Sequence, residues 1–359
     1  MAKRIILCLD GTWNQPESTG GETHPTNVLK FMRALRTTGR DGEAQVVYYG
    51  RGVGTWNVLD RYLGGIGGVG LSRNVLSAYR WLVNNYQSPD DRIYIFGFSR
   101  GAYTARSLAG LIEAIGLMTK LEAGDLPRGY AYYRTPKKQR DGHPYHATAK
   151  APERRYPRIA CLGVFDTVGA LGVPITALTF LNRRYRFHDV CLGSLVDNAF
   201  QALAVDEVRG PFEPAIWEKP DGWQGGLEQV WFAGVHSNIG GGYADARLSD
   251  IALRWLIARA MRCGLNFDRE YRRAHIARKD LHQGAMGNSY RGVYRLYGRC
   301  VRKVRVDPAH GMSIHHSVFD RINDKPMNYQ PENVEGGGQL RAGFDPSSTQ
   351  TPDRLPDTT

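Results

Sequence analysis

Arg92-Ile93-Tyr94-Ile95-Phe96-Gly97-Phe98-Ser99-Arg100-Gly101-Ala102-Tyr103-Thr104-Ala105-Arg106-Ser107-Leu108-Ala109 is the stretch from which the rest of the chain can be read. Residues 93–96 are β-branched and aromatic, as in a buried strand. Residues 102–109 are rich in Ala and read as a helix. Between them, Gly97-Phe98-Ser99-Arg100-Gly101 fits the pattern G-x-S-x-G. A sharp strand-to-helix turn needs small flanking residues, and it lifts the central Ser clear of the backbone with new amide N–H groups beside it. Five letters alone say little in a chain with 42 glycines. A Gly-rich turn whose Ser merely caps the helix would match them too. The strand before and the helix after give the match its weight.

The alternation continues on both sides. Arg4–Leu9, Gln45–Tyr49, Ile159–Phe165 and Gln229–Val235 join Arg92–Phe96 as candidate strands. Ser72 to Tyr86 has helical spacing, with Val75, Leu76, Tyr79, Leu82, Val83 and Tyr86 on one face. Strands alternating with helices predict an α/β fold with a mostly parallel sheet and right-handed crossovers. An order of 2-1-3-4-5 places a ligand cleft at the carboxyl ends of the first and third strands. Asp10-Gly11-Thr12 and Ser99 both fall there. Residues 120–158 and 170–228 interrupt the pattern and read as inserted cap segments. The second contains an apolar run, Ile175–Leu181, and a helix-like run, Leu195–Val205. The expected organisation is one catalytic domain over 1–342 and a disordered tail over 343–359, where Pro, Ser, Thr and Asp dominate.

A Ser hydroxyl becomes a nucleophile only when a base takes its proton. Of ten His residues, His24, His143, His146, His188, His275 and His282 sit in polar, irregular surroundings and are expected at the surface. His236 directly follows the apolar run Val230–Val235 and opens the loop Ser237-Asn238-Ile239-Gly240-Gly241-Gly242. That strand-end position is where triad chemistry places its base. His315 and His316, flanked by Ser313 and Ser317 in a loop-like segment, are a third and weaker candidate. The acid that fixes the His tautomer is expected to be Asp166, at the end of the fourth strand, with Asp206 and Asp245 as competitors. The chain order is then Ser, Asp, His. An oxyanion hole would use the amide of Arg100 and that of Gly11 or Thr12.

These motifs resemble the catalytic domain of type VI secretion phospholipase effectors, an α/β-hydrolase-like family. The resemblance rests on Leu9–Asn14, Gly97–Arg106, Phe165–Gly169 and Gly234–Tyr243, and runs from about residue 3 to about 335. It implies a Ser-Asp-His esterase with phospholipase A activity. The family often has Asp at the position of Asn238 and His at that of Gln201.

Composition narrows the partners. No run of 18 apolar residues is present, and Ile5–Leu9 is too short for a signal-peptide core, so a cytoplasmic protein is expected, with non-classical export left open. The five Cys are dispersed, and no His/Cys/Asp cluster has ligand spacing, so neither metal nor cofactor is expected. The net charge of +12 is concentrated in residues 254–305, which hold 14 Lys and Arg against 3 Asp and Glu. Such a segment fits an anionic surface, with Tyr271, Tyr290, Tyr294 and Tyr297 interleaved at a polar–apolar boundary, or else a solvated helical face. No nucleic-acid motif accompanies the charge, so nucleic acid is not expected. A lipid or other acyl ester is the expected substrate. The alternatives are an esterase or thioesterase for a small soluble acyl group, and a non-catalytic binding module on the same fold.

Overall fold

The computed structural model describes residues 2–11, 24–52, 67–168, 192–277 and 279–334. Its centre is an all-parallel sheet of seven strands in the order β2-β1-β3-β4-β5-β6-β7. These are β1 (Lys3–Leu9), β2 (Ala44–Gly50), β3 (Arg92–Phe98), β4 (Ile159–Phe165), β5 (Asn198–Ala204), β6 (Gly226–Phe232) and β7 (Met312–Ile314). The order of the first strands is as expected. One segment differs. Leu195–Val205, read as helix-like, carries β5, inserted between the fourth and fifth of the expected strands. Its Ala-rich sequence favours a helix by propensity, but six of its seven residues are buried, and tertiary burial overrides so weak a preference.

Alternating side chains of one strand feed two cores, as the period of a strand requires. From β1, Ile5, Leu7 and Leu9 pack with Val75 and Tyr79 of α2 (Gly67–Asn85) and Leu108 and Ile112 of α3 (Arg100–Ile115). Ile6 and Cys8 point the other way, toward Phe31 of α1 (Asn27–Ala34) and Trp255 of α6 (Arg247–Arg262). Covered on both faces, such strands read as continuous apolar runs, which is why β1 and β3 are legible in the sequence. The 120–158 segment contains α4 (Leu126–Arg134), which packs against α3. The short α5 (His236–Gly240) follows β6, α7 (Arg269–His275) packs on α1, and α8 (His316–Asn323) follows β7.

Polar contacts lock α1 to α6. Lys30 Nζ lies 2.8 Å from Asp250 Oδ1, both buried, and the amide of Asn27 donates to the carbonyls of Ile239 and Ser249 at 2.7 Å. The basic segment does not form a single solvated face. Arg259 is buried against Glu228, and Arg302 is buried in the interior. Tyr271 stacks on His275, and Tyr294 packs inward on Phe212. The side chain of Tyr297, the run Ile175–Leu181 and the 343–359 tail lie outside the described residues. No described helix is long and apolar enough to cross a membrane.

Candidate active site

The turn at Ser99 is strained and tightly constrained. Ser99 has φ 57° and ψ −119°, a conformation that a non-Gly residue keeps only when its surroundings over-determine it. Gly101 is required because α3 rests on the end of β1: a Cβ there would lie 2.0 Å from the carbonyl oxygen of Leu9. A Cβ on Gly97 would lie 2.4 Å from the carbonyl oxygen of Gly101. The Ser99 side chain makes no helix-capping hydrogen bond, so capping does not account for this Ser. Arg100 is the first residue of α3, where the N–H has no intrahelical acceptor. Gly101→Ala is therefore expected to lower stability by about 1–3 kcal/mol or more through overpacking. Denaturant melts would check this, and an unchanged midpoint would show that α3 can move away from β1.

Asp166 follows β4 directly, at φ 37°, and is completely buried. Its Oδ2 lies 2.6 Å from Nδ1 of His236. Its Oδ1 accepts the backbone N–H of Ala204 at 3.0 Å. Arg302, also buried, completes the shell: Nη1 donates to Oδ1 at 2.6 Å and Nη2 to Oδ2 at 3.0 Å. The same guanidinium donates to the carbonyls of Ala204 at 3.0 Å and Phe212 at 2.6 Å. Burial pushes the Asp166 carboxyl up, but Arg302 and His236 outweigh it and hold the group well below the usual carboxylate range.

His236 opens α5 and is 5% exposed. Phe98 packs against its ring at 4.7 Å between centroids, and Phe212 stands edge-on at 5.0 Å. Its backbone N–H donates to Glu207 Oε2, and Glu207 is paired with Arg209. The competing acids are engaged elsewhere. Asp206 accepts the N–H of Gly234 at 2.6 Å and the hydroxyl of Tyr329, while Asp245 pairs with Arg247 and accepts the N–H of Ala285. His315 stacks on Phe232 and accepts the N–H of Ser317 at the start of α8, and His316 is exposed near Asp320.

Beside Ser99, the loop after β1 is fixed by Asp10. Its carboxylate accepts Thr26 Oγ1 and Tyr49 Oη at 2.6 Å, and the N–H of Gly11 at 2.7 Å. That N–H is thus held by Asp10, while the Cα of Gly11 backs onto Phe98 and Ser99. Thr12 lies outside the described residues. Asn238 ties the His236 loop to residues 285–287: its Oδ1 accepts Gly287 N at 2.9 Å and its amide donates to Ala285 O at 3.1 Å. A carboxylate could not make the second bond. Gln201 of β5 donates to Ala215 O, in the segment before β6, at 3.0 Å.

The family model described as "T6SS, Phospholipase effector Tle1-like, catalytic domain" matches residues 3–259. The chain belongs to this family. The Tle1-like chain is also 32% identical over 235 residues to "Uncharacterized protein YEL023C" of Saccharomyces cerevisiae, a match covering 59% of this chain and 32% of that protein. Among solved structures, an uncharacterized protein from Pseudomonas aeruginosa aligns with a TM-score of 0.42 and 20% identity, over 78% of this chain and 48% of that one. The Tle1 effector bound to the VgrG spike of the type 6 secretion system aligns with a TM-score of 0.39 and 19% identity, over 68% and 52%. The chain thus spans between a third and about half of these relatives' lengths. Ser99, Asp166 and His236 all fall within the Tle1-like match, and Arg302 falls outside it. No motif marks Arg302. It sits in Val301-Arg302-Lys303, amid a basic run that reads as solvated surface.

Proposed function

We propose that the chain is a serine carboxyl-ester hydrolase acting on phospholipids or related lipid esters, with Ser99 as nucleophile, His236 as general base and Asp166 as the acid that orients it. The observation that carries this reading is the buried 2.6 Å contact between Asp166 and His236 Nδ1, at the same carboxyl end of the sheet as a Ser held at φ 57°. In the proposed reaction, Ser99 Oγ attacks the ester carbonyl as His236 Nε2 takes its proton. The tetrahedral oxyanion is met by the backbone N–H of Arg100 at the start of α3, while the N–H of Gly11 is taken by Asp10. Collapse expels the alcohol, protonated by His236, and water then hydrolyses the acyl-enzyme by the same route.

Family membership supports a lipid over a soluble acyl substrate. So does the loop of residues 291–306, where Leu296 is 82% exposed and Arg291, Arg295, Lys303 and Arg305 are exposed beside it in sequence. In our reading this part of the basic segment meets an anionic bilayer, each cation near the surface contributing about 1 kcal/mol.

The first test is labelling by a fluorophosphonate probe with the modified residue mapped by mass spectrometry. Modification of Ser99 is expected, and folded protein that stays unlabelled would remove the reading. Binding to phosphatidylglycerol vesicles should exceed binding to phosphatidylcholine vesicles and weaken as salt rises. Equal binding to both would leave the surface without its lipid.

A further inference from the structure

Resting on the reading of Asp166 and His236 as the acid and base, we propose that Arg302 is a positioning residue: it fixes the orientation of the Asp166 carboxylate and balances its charge, and so sets the pH at which His236 can serve as a base.

Geometry makes the case first. A carboxylate offers about four lone-pair directions, and here four donors fill them: the His236 ring, the Ala204 N–H and the two arms of Arg302. The planar guanidinium spans both oxygens, a match a point-charge ammonium cannot reproduce. Its further bonds to the Ala204 and Phe212 carbonyls anchor the fork to β5 and to the loop that carries the ring over His236. Oδ2 is shared, since the imidazole and Nη2 donate to the same oxygen. The carboxylate therefore cannot rotate without giving up contacts to both.

Charge makes the case second. Around the imidazole lie Asp166 and Arg302, which cancel, and Glu207 and Arg209, which also cancel. Arg209 stacks on Phe212 at 3.4 Å, and the half-buried Arg100 is placed near Tyr294, which stands edge-on to Phe212. Remove Arg302, and the buried pair becomes net negative. Protonating His236 would then neutralise it, whereas with Arg302 present the same proton adds an uncompensated charge to a buried site. Arg302 thus favours the neutral imidazole, the form that accepts a proton from Ser99.

Arg302→Met and Arg302→Gln both remove the charge, the second keeping an amide donor in case the first does not fold. In either folded variant, the acid limb of the kcat/KM profile is expected to move up by about one pH unit, a tenfold change in proton concentration. An NMR titration of the His236 ring, assigned by comparison with His236→Gln, should move in step. Arg302→Lys keeps the charge but loses the fork, so its limb should stay near that of the native protein while kcat falls. A limb and ring titration that stay in place in a folded, charge-removed variant would overturn the proposal and leave Arg302 a purely structural contact. The ring titration needs no turnover, so a shifted ring in a protein without esterase activity would fault the hydrolase reading and spare the electrostatic one.

Discussion

Ser99→Ala is expected to remove ester hydrolysis by at least about three orders of magnitude, and by up to six, while leaving the protein folded. The loss is large because, in the proposed reaction, the covalent step runs through the Ser99 hydroxyl, and a triad without its nucleophile keeps only a small residual rate. The fold should survive because the Ser99 side chain caps nothing, while its backbone N–H, which donates to Phe165 O at 3.2 Å, is kept by Ala. Ala meets the same positive-φ penalty that Ser already bears, so the change in stability should be small. Hydrolysis of a chromogenic ester and of phospholipid vesicles, alongside the melting temperature of both proteins, checks each half. Retained turnover in the folded variant would move the nucleophile elsewhere.

Asp166→Asn is expected to lower kcat by about four orders of magnitude, since an amide can hold the imidazole in the wrong tautomer. It should also destabilise the fold, which Ser99→Ala should not. Arg302 would be left as a buried cation without its counter-charge, and breaking such a pair costs about 3–5 kcal/mol. A pH dependence follows. The folded carboxyl lies below its unfolded value of about 3.9, so the stabilisation is fully present above that pH and lost as pH falls through the lower folded value. The native protein should therefore lose stability on acidification below about pH 4 more steeply than Asp166→Asn. Parallel acid-denaturation curves would reveal a carboxylate of little structural consequence.

The sequence is most legible where one physical signal acts alone. β1 and β3 are apolar runs because helices cover both their faces, and Gly97, Ser99 and Gly101 are set by a turn whose steric demands are local. β5 is obscured because its Ala-rich stretch carries a polar residue at its centre. The amide of Gln201 there donates to Ala215 O, a contact supplied from outside the strand. β7 is three residues long, too short to leave a period. The positions of Asp166 and His236 could be expected from strand ends, whereas the partner of the carboxylate could not. Arg302 is separated from Asp166 by 136 residues, and nothing in a basic run marks which cation turns inward. Gly11 shows a further limit: Asp10 precedes it in plain view, but only the folded loop reveals that this side chain takes its N–H.

The family match ends at residue 259, yet several supports of the site come later in the chain. Arg302 grips Asp166, residues 285–287 hold Asn238, and β7 borders β6, the strand that leads to His236. The family signature and the proposed site therefore have different lengths. Grafting only the recognisable portion onto another protein would transplant the Ser99 turn without the Arg302 contact to Asp166, and sequence drift after residue 259 would reach the surroundings of Asp166 and Asn238.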